Sequence, residues 1–120
     1  MAKILVVDDT KSYLFILSET LRSAGFIVNT AENGEQGLEA VKLDKPDLIL
    51  LDITMPKMDG LTMSKKIKES GIQVPIIFLT NMSDLKDISE AMETSVDYVI
   101  KSDISADDIV VKVKDKLNIK

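Results

Sequence analysis

The sequence contains no cysteine and no histidine in 120 residues. Without cysteine there is no disulfide framework and no thiol chemistry. Without histidine, imidazole catalysis and the usual zinc sites are excluded. A basic excess is missing too: 20 acids outnumber 15 bases, for a net charge of -5. Direct nucleic-acid binding calls for a basic patch, so this balance argues against it. No apolar run approaches the length of a membrane span. The opening "MAKILVVDD" meets acids after four apolar residues, too early for a signal peptide. Linkers, repeats and low-complexity segments are also absent. These absences lead to the expectation of a cytoplasmic protein forming one domain over residues 1–120, near the common domain size. A hydrophobic content of 45% can build a core without disulfides or a structural metal.

What is present is an alternation of short aliphatic runs and longer amphipathic stretches. The runs are "ILVV" (4–7), "FIVNT" (26–30), "LILL" (48–51), "IIFLT" (76–80) and "YVIK" (98–101). Short, continuously apolar and rich in β-branched residues, they read as strands buried on both faces. Between them the spacing predicts helices over 10–24, 35–43, 61–70, 84–93 and 105–118. Gly25 and Gly71 stand where C-terminal caps belong, and Ser83 or Asp84 is a good N-cap. Five βα units in a row predict an α/β fold: a doubly wound, five-stranded parallel sheet, flavodoxin-like, in the order 2-1-3-4-5.

In such a sheet all strand ends share one edge, and the binding crevice lies there. The first run ends in Asp8-Asp9, the third in Asp52, the fourth in Thr80 and the fifth in Lys101. Singly, each has an ordinary reading. Asp52 would be a loop cap, Asp8 or Asp9 a cap on the first helix, Thr80 a strand-end hydroxyl, Lys101 a solvated lysine. Asp59-Gly60 reads as a structural turn, Met55 and Met58 as loop packing, and the late lysines as a solvated face. Taken together, three carboxylates in one cleft repel each other unless a proton or a cation intervenes. A hard divalent ion with oxygen ligands, most simply Mg²⁺, is one remedy. Carboxylate, Mg²⁺, lysine and hydroxyl make a set suited to a phosphoryl group, and a carboxylate can itself be the nucleophile.

The motifs "VVDD" (6–9), "LLDITMPKMDG" (50–60), "LT" (79–80) and "DYVIK" (97–101) fall in an order that resembles a response-regulator receiver domain. This is the phosphoacceptor module of two-component signalling, and the likeness covers essentially the whole chain. The resemblance implies a role for each matching position. Asp52 would be the phosphoacceptor. Asp9 would bind Mg²⁺ directly, Asp8 through water, and Thr54 through its backbone carbonyl. Lys101 would pair with phosphoryl oxygens. Thr80 would turn its hydroxyl to the phosphoryl group, and Tyr98 would follow inward. That switch would reshape the face made by the fourth helical stretch, the fifth strand and the fifth helical stretch, where a downstream protein would bind. The donor would be a phosphohistidine on a histidine kinase or phosphotransfer protein. Three positions depart from the family pattern: Asn81 after the switch threonine, Ser102 after the lysine, and Thr94-Ser95 at the end of the fourth helical stretch.

The expected function is therefore a phosphorylation-controlled switch, not an enzyme beyond its own phosphotransfer and autodephosphorylation. It would act by protein–protein contact, as a single-domain shuttle in a phosphorelay or as one domain of a longer protein. A degenerate receiver working as a constitutive interaction module is the alternative. A Mg²⁺-dependent phosphatase of the haloacid dehalogenase type needs a second acid two residues after its nucleophile, where this chain has Thr54. A flavodoxin-like cofactor binder needs a phosphate loop after the first strand, where this chain has "DDTKS". Phe15 and Val111 lie off the apolar stripes and are candidate contact points.

Overall fold

The computed structural model describes residues 1–81 and 97–119. Its strands are β1 (Lys3–Val7), β2 (Ile27–Ala31), β3 (Leu48–Asp52), β4 (Ile76–Thr80) and β5 (Asp97–Ile100). All neighbouring pairs are parallel, in the order β2-β1-β3-β4-β5. The described helices are α1 (Lys11–Ser23), α2 (Gly34–Leu43), α3 (Gly60–Glu69) and α4 (Ala106–Lys116). The helix expected over 84–93, its cap at Ser83 or Asp84, and the Thr94-Ser95 departure lie outside the described residues.

Side chains alternate across a strand, so each apolar run feeds two layers. Ile4, Val6, Leu48, Leu50, Ile77 and Leu79 pack with Leu14, Leu17 and Leu21 of α1 and with Ile109 and Val113 of α4. On the other face, Leu5, Val7, Ile49, Leu51 and Phe78 pack with Val41 of α2 and with Met63 and Ile67 of α3. This two-sided cover explains why β1, β3 and β4 are almost continuously apolar. The edge strands differ from expectation. In β2, Ile27, Asn29 and Thr30 are exposed, and in β5 only Val99 is fully buried. A strand with one neighbour is only partly covered by the helices, so its outward positions meet water.

Helix ends follow local chemistry. Asn33 caps α2 by accepting the Gln36 N–H at 2.9 Å, and Asp59 caps α3 by accepting the Thr62 N–H at 2.8 Å. Ser105 and Asp108 form a reciprocal capping box on α4. Gly25 and Gly71 follow α1 and α3 with φ of +100° and +80°, a region that favours glycine. The first helix corrects an expectation: neither Asp8 nor Asp9 caps it. Thr10 is its N-cap, without a side-chain bond, and Asp8 instead holds the Thr10 N–H. The acid is turned toward the cleft rather than onto the helix. The late lysines also differ from a plain solvated face. Lys112 and Lys114 are half-buried, and Lys116 forms an ion pair with Asp97.

Candidate functional site

Register brings the strand-end residues together. Val7 lies opposite Leu51, so the next residues, Asp8 and Asp52, emerge side by side. Asp52 lies opposite Leu79, and Thr80 lies opposite Ile100, with Lys101 one step beyond. The Lys101 N–H donates to the Thr80 carbonyl at 2.9 Å, which ties the lysine to the end of β4.

Asp8 is 0% exposed and Asp52 3%, whereas Asp9 is exposed. One carboxylate oxygen from each of the three lies within 4.8 Å of the others. Lys101 Nζ is 2.7 Å from Asp8 Oδ2 and 3.5 Å from Asp52 Oδ1. The other Asp8 oxygen accepts the Thr10 N–H at 2.9 Å. Thr80 is fully buried, and its hydroxyl donates to the Asn81 carbonyl at 2.9 Å. Thr54 is exposed on the loop after β3. Tyr98 stands outward on β5, 42% exposed. The Lys101–Ser102 peptide is trans, as are all peptides among the described residues.

The loop after β3 is built to hold Asp52. The Ile53 N–H donates to the Leu79 carbonyl at 3.2 Å, and the Gly60 N–H donates to the Ile53 carbonyl at 2.8 Å. Gly60 sits so close to the Asp52 carbonyl that a Cβ there would overlap backbone. Only glycine fits. Met55 is buried in the core cluster behind the loop and Met58 packs against it. The Met58 N–H reaches back to the Pro56 carbonyl at 2.8 Å, with Lys57 between them at a φ of 68°. That three-residue turn places a side-chain-bearing residue in a strained region.

The electrostatics are unbalanced. Three carboxylates share a single lysine. Two like charges about 4 Å apart repel by about 4 kcal/mol at an effective dielectric of 20. Burial pushes Asp52 up to about 7, Asp8 adds to the rise, Lys101 opposes it, and Asp9 adds further. Lys101 stands nearer Asp8 than Asp52, so Asp52 keeps the larger share of the imbalance. Asp8 Oδ2 and Asp52 Oδ1 have no aligned hydrogen-bond donor among the described residues and share one ammonium. Buried oxygens of this kind, beside an exposed third carboxylate, fit a hard cation that takes oxygen ligands and keeps some waters.

The chain matches the model of the response regulator receiver domain over residues 4–114. It belongs to the response-regulator receiver family. The chemotaxis protein CheY of Bacillus subtilis is 36% identical over 118 residues, covering 97% of this chain and 98% of CheY. The transcriptional regulatory protein DltR of Streptococcus agalactiae serotype III is 35% identical over 112 residues, covering 93% of this chain. The match takes in 50% of DltR, so the receiver spans about half the length of that relative. Among solved structures, the response regulator TrrA of Thermotoga maritima, in complex with Mg²⁺-BeF, superposes with a TM-score of 0.81 at 36% identity. That superposition covers 96% of this chain and 98% of TrrA. Receivers of this family are signalling phosphoacceptors rather than enzymes in the ordinary sense.

Sequence reasoning passed over one residue of the receiver's cleft. Tyr13, in the first turns of α1, lays its ring 4.6 Å from Lys101 Nζ. The signal was available: it stands four residues beyond Asp9, where a helix leaving β1 still borders the strand ends.

Proposed function

We propose that this receiver takes a phosphoryl group on Asp52 from a phosphohistidine of a histidine kinase or phosphotransfer protein, and that the phosphoryl group switches partner binding. The observation that carries the reading is the buried Asp52 carboxylate, with Lys101 Nζ 3.5 Å away and Asp8 and Asp9 beside it. These 120 residues hold no histidine, so the donor histidine comes from outside them.

Asp8 and Asp9, with Asp52 and the Thr54 carbonyl, are the groups proposed to hold Mg²⁺. When bound, the ion offsets charge on the carboxylates and on the phosphoryl oxygens. An Asp52 oxygen attacks phosphorus, the P–N bond to the donor imidazole breaks, and its electron pair stays with the imidazole. The product is an acyl phosphate. Lys101, which pairs with Asp8 and Asp52 at rest, turns to the phosphoryl oxygens. The Thr80 hydroxyl moves from the Asn81 carbonyl to the same group, and Tyr98 follows inward from its exposed position. The face around β5 and α4 then changes its affinity for a downstream protein. We place this activity in the cytoplasm; no helix among the described residues is long and apolar enough to cross a membrane.

The test is incubation with acetyl phosphate and Mg²⁺, read by intact mass beside Asp52→Asn. One phosphoryl group is expected on the parent, only with Mg²⁺, and none on the variant. Equal labelling of the variant would remove Asp52 as the acceptor.

A further inference from the structure

Tyr13 is half-buried in the cleft between α1 and the strand ends, packed against the α1–α4 core cluster. Its ring faces the Lys101 ammonium at 4.6 Å from the centroid, within the range of a cation–π contact. Its hydroxyl oxygen is buried and has no hydrogen-bond partner among the described residues. Buried hydroxyls almost always find a partner, so an orphan beside a charged cleft points to something that arrives. Burial, then Asp8, then Asp52 push the phenol up to about 12. The group therefore keeps its proton and remains a donor. Every carboxylate around it is an acceptor, yet none is bonded to it.

We propose that Tyr13 serves the phosphotransfer in two ways: its ring positions the Lys101 ammonium, and its hydroxyl donates to an oxygen of the incoming phosphoryl group. The ring explains how one long, flexible lysine stays at the cleft before any phosphoryl group is present. Asp8 holds the ammonium from one side and the ring from another. The hydroxyl explains why tyrosine stands there rather than phenylalanine, since the ring alone would satisfy the lysine. This inference rests on Asp52 being the acceptor.

The experiment compares the full chain with Tyr13→Phe and Tyr13→Leu. Labelling rates are measured against acetyl phosphate concentration at saturating Mg²⁺, after thermal melts establish that each variant is folded. Tyr13→Phe keeps the ring and should lower the maximal rate about tenfold or more, the worth of one hydrogen bond to a charged oxygen. Tyr13→Leu loses both contacts and should lower it several-fold further. A role in stability alone would instead leave the maximal rate of the folded variants unchanged. Tyrosine emission is recorded as Mg²⁺ and then beryllofluoride are added. The parent should change its emission with beryllofluoride, and Tyr13→Phe should lack that component. A labelled parent whose variants stay within twofold, with no emission component assignable to Tyr13, would overturn this inference alone. An unlabelled parent would overturn the acceptor assignment and this inference with it.

Discussion

The interior of β3 and its carboxyl end are equally shut off from water, yet they are opposite in kind. Leu50 and Leu51 are 0% exposed, and Asp52, the next residue, is 3% exposed. Each leucine finds apolar partners on its own face of the sheet. The carboxylate finds two more acids and a lysine held closer to Asp8 than to itself. Burial therefore stabilises one position and strains the next. A rigid sheet can hold an unbalanced set of charges because the strands are anchored elsewhere, through the leucines. What the site gains is a carboxylate ready for any ligand that brings compensating charge.

The comparison breaks most sharply at the interior. Leu50→Ala should lower unfolding free energy by about 2–5 kcal/mol, through lost burial and the cavity left behind. Urea titration followed by circular dichroism reads this directly. A loss below about 1 kcal/mol would show that the sheet closes over the gap.

A second change sharpens the comparison at the edge. The Asp52 carboxyl is raised from 3.8 to about 7 in the folded protein. A group held more tightly protonated in the native state contributes stability below its unfolded value, and that contribution is lost as pH rises through about 7. Without divalent cations, the parent should therefore lose stability between pH 5 and pH 8 relative to Asp52→Asn, which does not titrate. Added Mg²⁺ should restore stability at pH 8 far more than at pH 5. Parallel urea midpoints for parent and variant across that range would contradict the burial-driven shift.

The smallest effect lies in the loop that joins the two regions. Lys57 occupies a left-handed φ of 68°, which costs a side-chain-bearing residue about 1–2 kcal/mol. Lys57→Gly relieves that strain but adds freedom to the unfolded chain. The net expectation is a gain of up to about 1 kcal/mol in the same urea assay. A clear loss would mean that the lysine side chain contributes contacts of its own.

Most of the framework was legible in the residue pattern. "LILL" and "ILVV" are too apolar for strands open to water on one face, and they are buried on both. The glycines at 25 and 71 mark helix ends because few other residues accept a positive φ. Other features were not legible. The sequence "FIVNT" does not reveal how little of an edge strand the helices cover. "VVDDTK" contains acids in a plausible capping position, and Thr10 takes it instead. Asp59-Gly60 reads as a turn, but the fit of Gly60 against the Asp52 backbone depends on where β3 ends relative to α3.

By itself, the sequence determined the alternation of strands and helices, the parallel sheet and the polar residues at its strand ends. Those follow from local periodicity and from where each apolar run stops, both of which are properties of neighbouring residues. Only the tertiary structure decided how those groups face each other. Lys101 stands nearer Asp8 than Asp52, Asp97 pairs with Lys116, and the Tyr13 ring meets Lys101. Such choices turn on differences of an ångström between side chains carried by separate elements, and those distances exist only once the helices have packed against the sheet.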